Sequence, residues 1–165
     1  MRIIQDSREQ SGLLTLFPKV EGVTVEIGTL PVGDYACRHT IDGRELPDPH
    51  CVERKALGDL ATSFASGYER EKAKWTKAHQ LGLRYILAIE GTRTDVLQND
   101  SYRKEGESYP RRKDGLAQLR QLCSLQVRYG ITVWFCENRR MMAFYLLEFF
   151  SASGRWLQRR EQGNA

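Results

Sequence analysis

Two stretches constrain this chain most. Tyr85–Ile89 and Ile131–Cys136 are apolar almost throughout, and Glu90-Gly91 closes the first. Runs this short and this uniformly apolar suit strands covered on both faces. Between them, Gly115–Tyr129 carries Leu116, Leu119, Leu122 and Leu125 at helical spacing. That order already points to a sheet with helices packed on it. The flanking segments extend it. Arg2–Gln5 reads as a short strand. Ser7 opens an expected helix over Arg8–Phe17, ended by Pro18. Val23–Leu30 alternates apolar and polar residues as a half-buried strand does. Asp34–Ile41 and His50–Lys55 are expected to be the arms of a hairpin, with turn chemistry at Asp42-Gly43 and Pro47-Asp48-Pro49. Leu57–Leu81 is helical in pattern, with Gly67 a point of interruption and Gly82 a C-cap. Thr92–Lys113 is polar and reads as a long surface loop. Asn138 caps a last helix to about Phe150.

The sum is an α/β fold: a mixed central sheet flanked by helices. A length of 165 residues fits one domain, expected over 1–150, with a weakly patterned tail over 151–165. The longest apolar run, Met141–Leu147, is too short to cross a bilayer. The N-terminus has no signal-peptide pattern, so an intracellular protein is expected: nuclear in a eukaryote, cytoplasmic or nucleoid-associated in a bacterium or phage. Cys37, Cys51, Cys123 and Cys136 have no paired spacing and are expected to be free thiols, mostly in the core. A zinc site from Cys37, His39, His50 and Cys51 is disfavoured, because adjacent residues of a strand face opposite sides. There is no Walker loop and no dinucleotide fingerprint, so neither ATP nor a dinucleotide is expected.

Charge is unevenly spread. Residues 1–101 hold 13 Lys+Arg against 15 Asp+Glu, and residues 102–165 hold 12 against 6. An acidic cluster beside a basic surface is what a metal site acting on a polyanion needs, although a solvated charged surface gives the same balance. In Val52-Glu53-Arg54-Lys55, strand alternation puts Glu53 and Lys55 on one face and Arg54 on the other. If the two arms pair, Asp34 falls near Glu53. Two carboxylates make half a Mg²⁺ site, and a neighbouring lysine can stabilise an attacking water or a phosphate oxygen. Metal-assisted phosphodiester hydrolysis follows from such a set. An exposed strand with a cross-strand ion pair fits the same spacing.

The motif set narrows this. Asp6-Ser7-Arg8-Glu9, Gly33-Asp34, Glu53-Arg54-Lys55 and Asp59 stand in order. Together they resemble the nuclease signature D-x-R-E, G-D, E-R-K-x-x-x-D of the XPF family, and Ile89-Glu90-Gly91 is similar to that family's next strand end. The resemblance implies a restriction-endonuclease-like fold. It also implies cleavage of branched, flap or fork DNA in repair or recombination, with Mg²⁺ or Mn²⁺. Carried over by position, Asp34 and Glu53 would be metal ligands and Lys55 the catalytic lysine. Asp6 and Asp59 would be supporting acids, and Arg54 and Arg8 structural or phosphate-facing. No helix–hairpin–helix module, usual in relatives, follows in these 165 residues.

Arg103, Lys104, Arg111, Arg112 and Lys113 interleave with Tyr102 and Tyr109, a pattern suited to phosphates and unpaired bases. Arg70, Lys72, Lys74 and Lys77 follow the motif on one helix and either lean on DNA or face solvent. The last helix carries more apolar surface than one small domain hides, which favours a homodimer or a partner protein. Two rivals remain at this point: a non-catalytic DNA-binding or dimerising scaffold for another nuclease, and the same chemistry used in phage or defence.

Overall fold

A computed structural model describes residues 1–9, 12–99 and 115–163. Its described residues form a seven-stranded mixed sheet in the order β2-β1-β3-β5-β6-β7, with β4 paired to β3. The strands are β1 (Arg2–Asp6), β2 (Thr24–Gly28), β3 (Tyr35–Ile41), β4 (Arg44–Pro47), β5 (His50–Ala56), β6 (Arg84–Glu90) and β7 (Thr132–Cys136). β5, β6 and β7 run parallel, with Glu53 opposite Leu87 and Leu87 opposite Val133. The first apolar run, β6, therefore lies where its composition requires, buried between neighbouring strands. The second does not: β7 is the edge strand and is buried only at Cys136, its apolar residues being half-covered by α4 and α5.

The helices are α1 (Leu57–Ser63), α2 (Tyr68–Gln80), α3 (Arg93–Leu97), α4 (Gly115–Tyr129) and α5 (Arg139–Glu161). One core half packs Met142, Leu146 and Phe150 of α5 against Ile3, Tyr35, Val52 and Ile86. The other packs Leu60, Trp75, Ala78, Leu122 and Leu125 of α1, α2 and α4 against Leu87 and Ile89.

Several expectations change. Of the helix expected over Arg8–Phe17, the described residues show only a turn at Ser7 and Arg8 and a single 3-10 turn at Leu14–Leu16. Leu13 N donates to Tyr35 Oη at 3.0 Å and Leu14 N to Gln5 Oε1 at 3.2 Å, so tertiary partners replace helical ones. β3 does not return directly into β5. Asp42 and Gly43, with φ of 50° and 75°, make a two-residue turn into β4, and Arg38–Ile41 pair with Arg44–Pro47. β5 then pairs with β3 at Tyr35↔Val52. The region after β6 is not all loop: Thr92 and Asp95 form a reciprocal capping box that starts α3. Leu116 on α4 is exposed and Gln118 is buried, accepting from Asn99 Nδ2 at 3.3 Å. The expected tail continues α5 as far as Glu161.

Candidate active site

The site forms where β1, β3 and β5 meet α1 and α2. Gly33 has φ of +79°, and a Cβ there would meet Val52 O at 3.1 Å, so both its conformation and its closeness to β5 require glycine. Asp34 follows in a clamped position. Its N donates to Val52 O at 2.8 Å, its O accepts from Asp6 N at 2.8 Å, and its Oδ2 accepts from Arg54 N at 2.8 Å. The carboxylate is thus fixed between the β1 end and β5, as the motif spacing suggested.

Asp34 and Glu53 both line two concavities, of about 650 Å³ and about 250 Å³. Burial first, and then the charge of Glu53, raise the Asp34 carboxyl from 3.8 to about 7. Lys74 Nζ is hydrogen-bonded to Glu53 Oε1. Lys55 Nζ stands 3.5 Å from Glu53 Oε1 and 3.2 Å from Glu71 Oε1, and Lys74 Nζ is 3.6 Å from the same Glu71 oxygen. Burial opposes charge on Lys74, and Glu53 and Glu71 more than offset that, raising its pKa. Glu53, Lys55 and Glu71 are all buried. The result is a closed ring of alternating charges, Glu53, Lys55, Glu71 and Lys74, with Asp34 beside it.

The other motif residues sit nearby in different states. Both oxygens of Asp6 are engaged. Oδ1 accepts from Arg8 N at 2.9 Å and Arg8 Nε at 2.7 Å, and Oδ2 accepts from Arg8 Nη2 at 2.9 Å and Leu30 N at 2.7 Å. The Arg8 guanidinium holds Asp6 down at about 2, against the effect of burial. Arg8 also donates to Leu30 O at 2.9 Å, while most of its side chain stays exposed. Arg54 turns away from Glu53, as alternation requires, and ties three segments together. Its Nη2 meets Glu9 Oε1 at 3.1 Å and its Nη1 meets Glu90 Oε1 at 2.9 Å. Asp59, in the first turn of α1, is exposed on the wall of the smaller concavity. Arg103, Lys104, Arg111, Arg112 and Lys113 lie outside the described residues.

Among the described residues, no three His, Cys, Asp or Glu side chains are grouped so as to hold a metal. The disfavoured zinc cluster is a hydrogen-bonded one instead: His39 Nε2 and His50 Nδ1 meet the two oxygens of buried Asp48 at 2.8 and 2.7 Å. Cys37, Cys51 and Cys136 are buried and free, and Cys123 is exposed.

The ERCC4-domain family model matches residues 5–149. The chain belongs to that family. It is a DNA-repair nuclease family. No curated protein matches the chain. Among solved structures, XPF from Aeropyrum pernix superposes with a TM-score of 0.64 at 21% identity, covering 99% of this chain and 68% of that one. The XPF from Aeropyrum pernix in complex with DNA superposes at 0.57 and 22% identity, covering 96% and 66% respectively. The chain thus spans about two thirds of each relative, and at this identity the likeness concerns the fold. The mixed sheet flanked by helices is the one the sequence led us to expect. No helix among the described residues is long and apolar enough to cross a membrane.

One site residue escaped the sequence reading. Glu71 lies on the buried stripe of α2 with Trp75 and Ala78. An acid embedded in an apolar stripe needs a buried partner, and that is the signal that could have found it. Lys74 was noticed only as part of a basic helix. Its bond to Glu53 puts it in the site itself.

Proposed function

We propose that this chain is a divalent-metal-dependent DNA endonuclease acting at branched, flap or fork structures. The observation that carries this is the Asp34–Glu53 pair in one cleft, with Lys55 held between Glu53 and Glu71. The donor set fits Mg²⁺ or Mn²⁺. These ions take hard oxygen ligands, and a bound one would offset the burial and the Glu53 charge that raise Asp34. Asp34 and Glu53 would hold the ion. The chemistry it supplies is activation of water and neutralisation of charge on the phosphate.

The chain's own groups do the rest. Glu71 and Glu53 fix the Lys55 ammonium, which then acts as a pre-positioned positive charge for the attacking water or the scissile phosphate. Lys74 neutralises Glu53 through its hydrogen bond to Glu53 Oε1. Arg8, Arg70 and Lys77 surround the wider concavity and suit the flanking phosphates. Asp6 and Arg54 act as positioning residues, since their partners bind together the segments that present Asp34 and Glu53. Asp59 supports at the rim. The basic segment with Arg103, Lys104, Arg111, Arg112 and Lys113 is assigned to the DNA strand on its charge and aromatic content.

Exposed Met141, Phe144 and Tyr145 on α5 support pairing with a second copy. Sedimentation of wild type against Phe144→Glu checks this, and a monomeric wild type would refute it. The function is tested on a panel of forks, flaps, single strands and duplexes in Mg²⁺ or Mn²⁺. Cutting of the branched substrates is expected, with loss in EDTA. Salt-sensitive DNA binding without cutting, indifferent to Glu53→Ala, would assign the chain to the scaffold reading.

A further inference from the structure

Around the first residues of β5, β6 and β7, a separate cavity of about 630 Å³ opens, and it shares no lining residue with the two acidic concavities. Its size is that of a small-molecule site. Trp75, Tyr85, Tyr129 and Phe149 contribute aromatic rings to it. Trp75 and Tyr129 have centroids 5.7 Å apart, and Tyr68 continues the series at 5.9 Å from Trp75.

Its charge is one-sided. Arg84 and Arg128 line it with Lys72, and no Asp or Glu among the described residues does. Lys72 is partly answered by Glu69 at 4.0 Å. Arg84 and Arg128 are exposed and form no ion pair among the described residues.

We propose that this cavity binds a nucleotide, its base against the Trp75–Tyr129 rings and its phosphate on Arg84 and Arg128. Aromatic faces accept any base, and guanidinium groups match phosphate oxygens. The nucleotide is either free or an unpaired residue of a DNA strand. The strand source has a route on the page. One side of α2 gives Lys74 and Lys77 to the acidic clefts, and another gives Lys72, Trp75 and Thr76 to this cavity.

The inference does not rest on cleavage, so it is tested in EDTA. Calorimetry with dAMP, deoxyadenosine and inorganic phosphate is combined with anisotropy of a labelled single-stranded oligonucleotide. Wild type, Arg84→Ala/Arg128→Ala, Tyr129→Ala and Asp34→Asn are compared. Saturable dAMP binding is expected, weakened about tenfold in the double variant and in Tyr129→Ala and unchanged in Asp34→Asn. Deoxyadenosine and phosphate should each bind more weakly than dAMP. If the oligonucleotide alone responds to the variants, the occupant is a strand residue. If dAMP alone responds, it is a free nucleotide. Absence of saturable binding by either, or binding that neither cavity variant alters, overturns the proposal. Retained dAMP binding in Asp34→Asn beside lost cleavage keeps this result separate from the nuclease reading.

Discussion

Asp6 and Asp34 are neighbours through one backbone hydrogen bond, yet they are in opposite electrostatic states. Asp6 receives four hydrogen bonds, three of them from Arg8, and is held at about 2. Asp34 has one backbone N–H on its carboxylate, sits beside Glu53, and is raised to about 7. The first is a carboxylate whose needs are met by the protein. The second is left short of positive charge. Residue type and motif membership do not distinguish them; their partners do. The unmet group is the one arranged for something to arrive.

Breaking the two states apart gives effects of decreasing size. Lys55→Ala and Asp34→Ala should lower the cleavage rate by about a thousandfold or more without unfolding the protein, as rate assays beside circular dichroism will show. Arg54→Ala should cost about 2 kcal/mol in urea unfolding, because half-buried Glu9 and Glu90 each lose a charge-assisted hydrogen bond while Glu90 keeps Arg139 at 3.3 Å.

Asp6→Asn should destabilise by about 1 kcal/mol at neutral pH, with the exposure of Arg8 screening the pair. Its folded pKa lies below the ordinary 3.8, so its contribution is present above 3.8 and fades as pH falls through about 2. Mutant and wild type should converge in that acid window. Asp34→Asn should go the other way and stabilise by about 1 kcal/mol at alkaline pH. Its folded pKa lies above the unfolded one, so the charged carboxylate becomes a growing liability as pH rises from 3.8 through about 7. Equal and same-signed shifts for the two asparagine variants would erase the contrast.

The sequence made β6 legible because a strand covered on both faces must be apolar throughout, but β7 is just as apolar and lies half-exposed at the sheet edge, which composition alone does not reveal. It made the Asp34–Glu53 encounter legible because strand alternation and a turn glycine leave few arrangements. The first helix was misread since Leu13, Leu14 and Phe17 mimic helical spacing, while Tyr35 and Gln5 take the amides from outside. The end of α5 was misread for a related reason. Residues 151–165 carry little apolar patterning, yet a Cβ on Gly154 would meet His39 Nδ1 at 2.6 Å, so a close tertiary approach holds that end of the helix. Glu71 and Lys74 were hidden because their partners lie on β5, about 20 positions earlier in the chain. Tertiary partners of this kind leave no trace in local periodicity.

The central claim is that Asp34 and Glu53 form a cation site while Asp6 does not. Calorimetric titration of Mn²⁺ into wild type, Asp34→Asn, Glu53→Gln and Asp6→Asn, each checked for folding, tests it most directly. Wild type and Asp6→Asn should bind the ion, and Asp34→Asn and Glu53→Gln should lose it. Binding that survives unchanged in Asp34→Asn and Glu53→Gln would contradict the assignment.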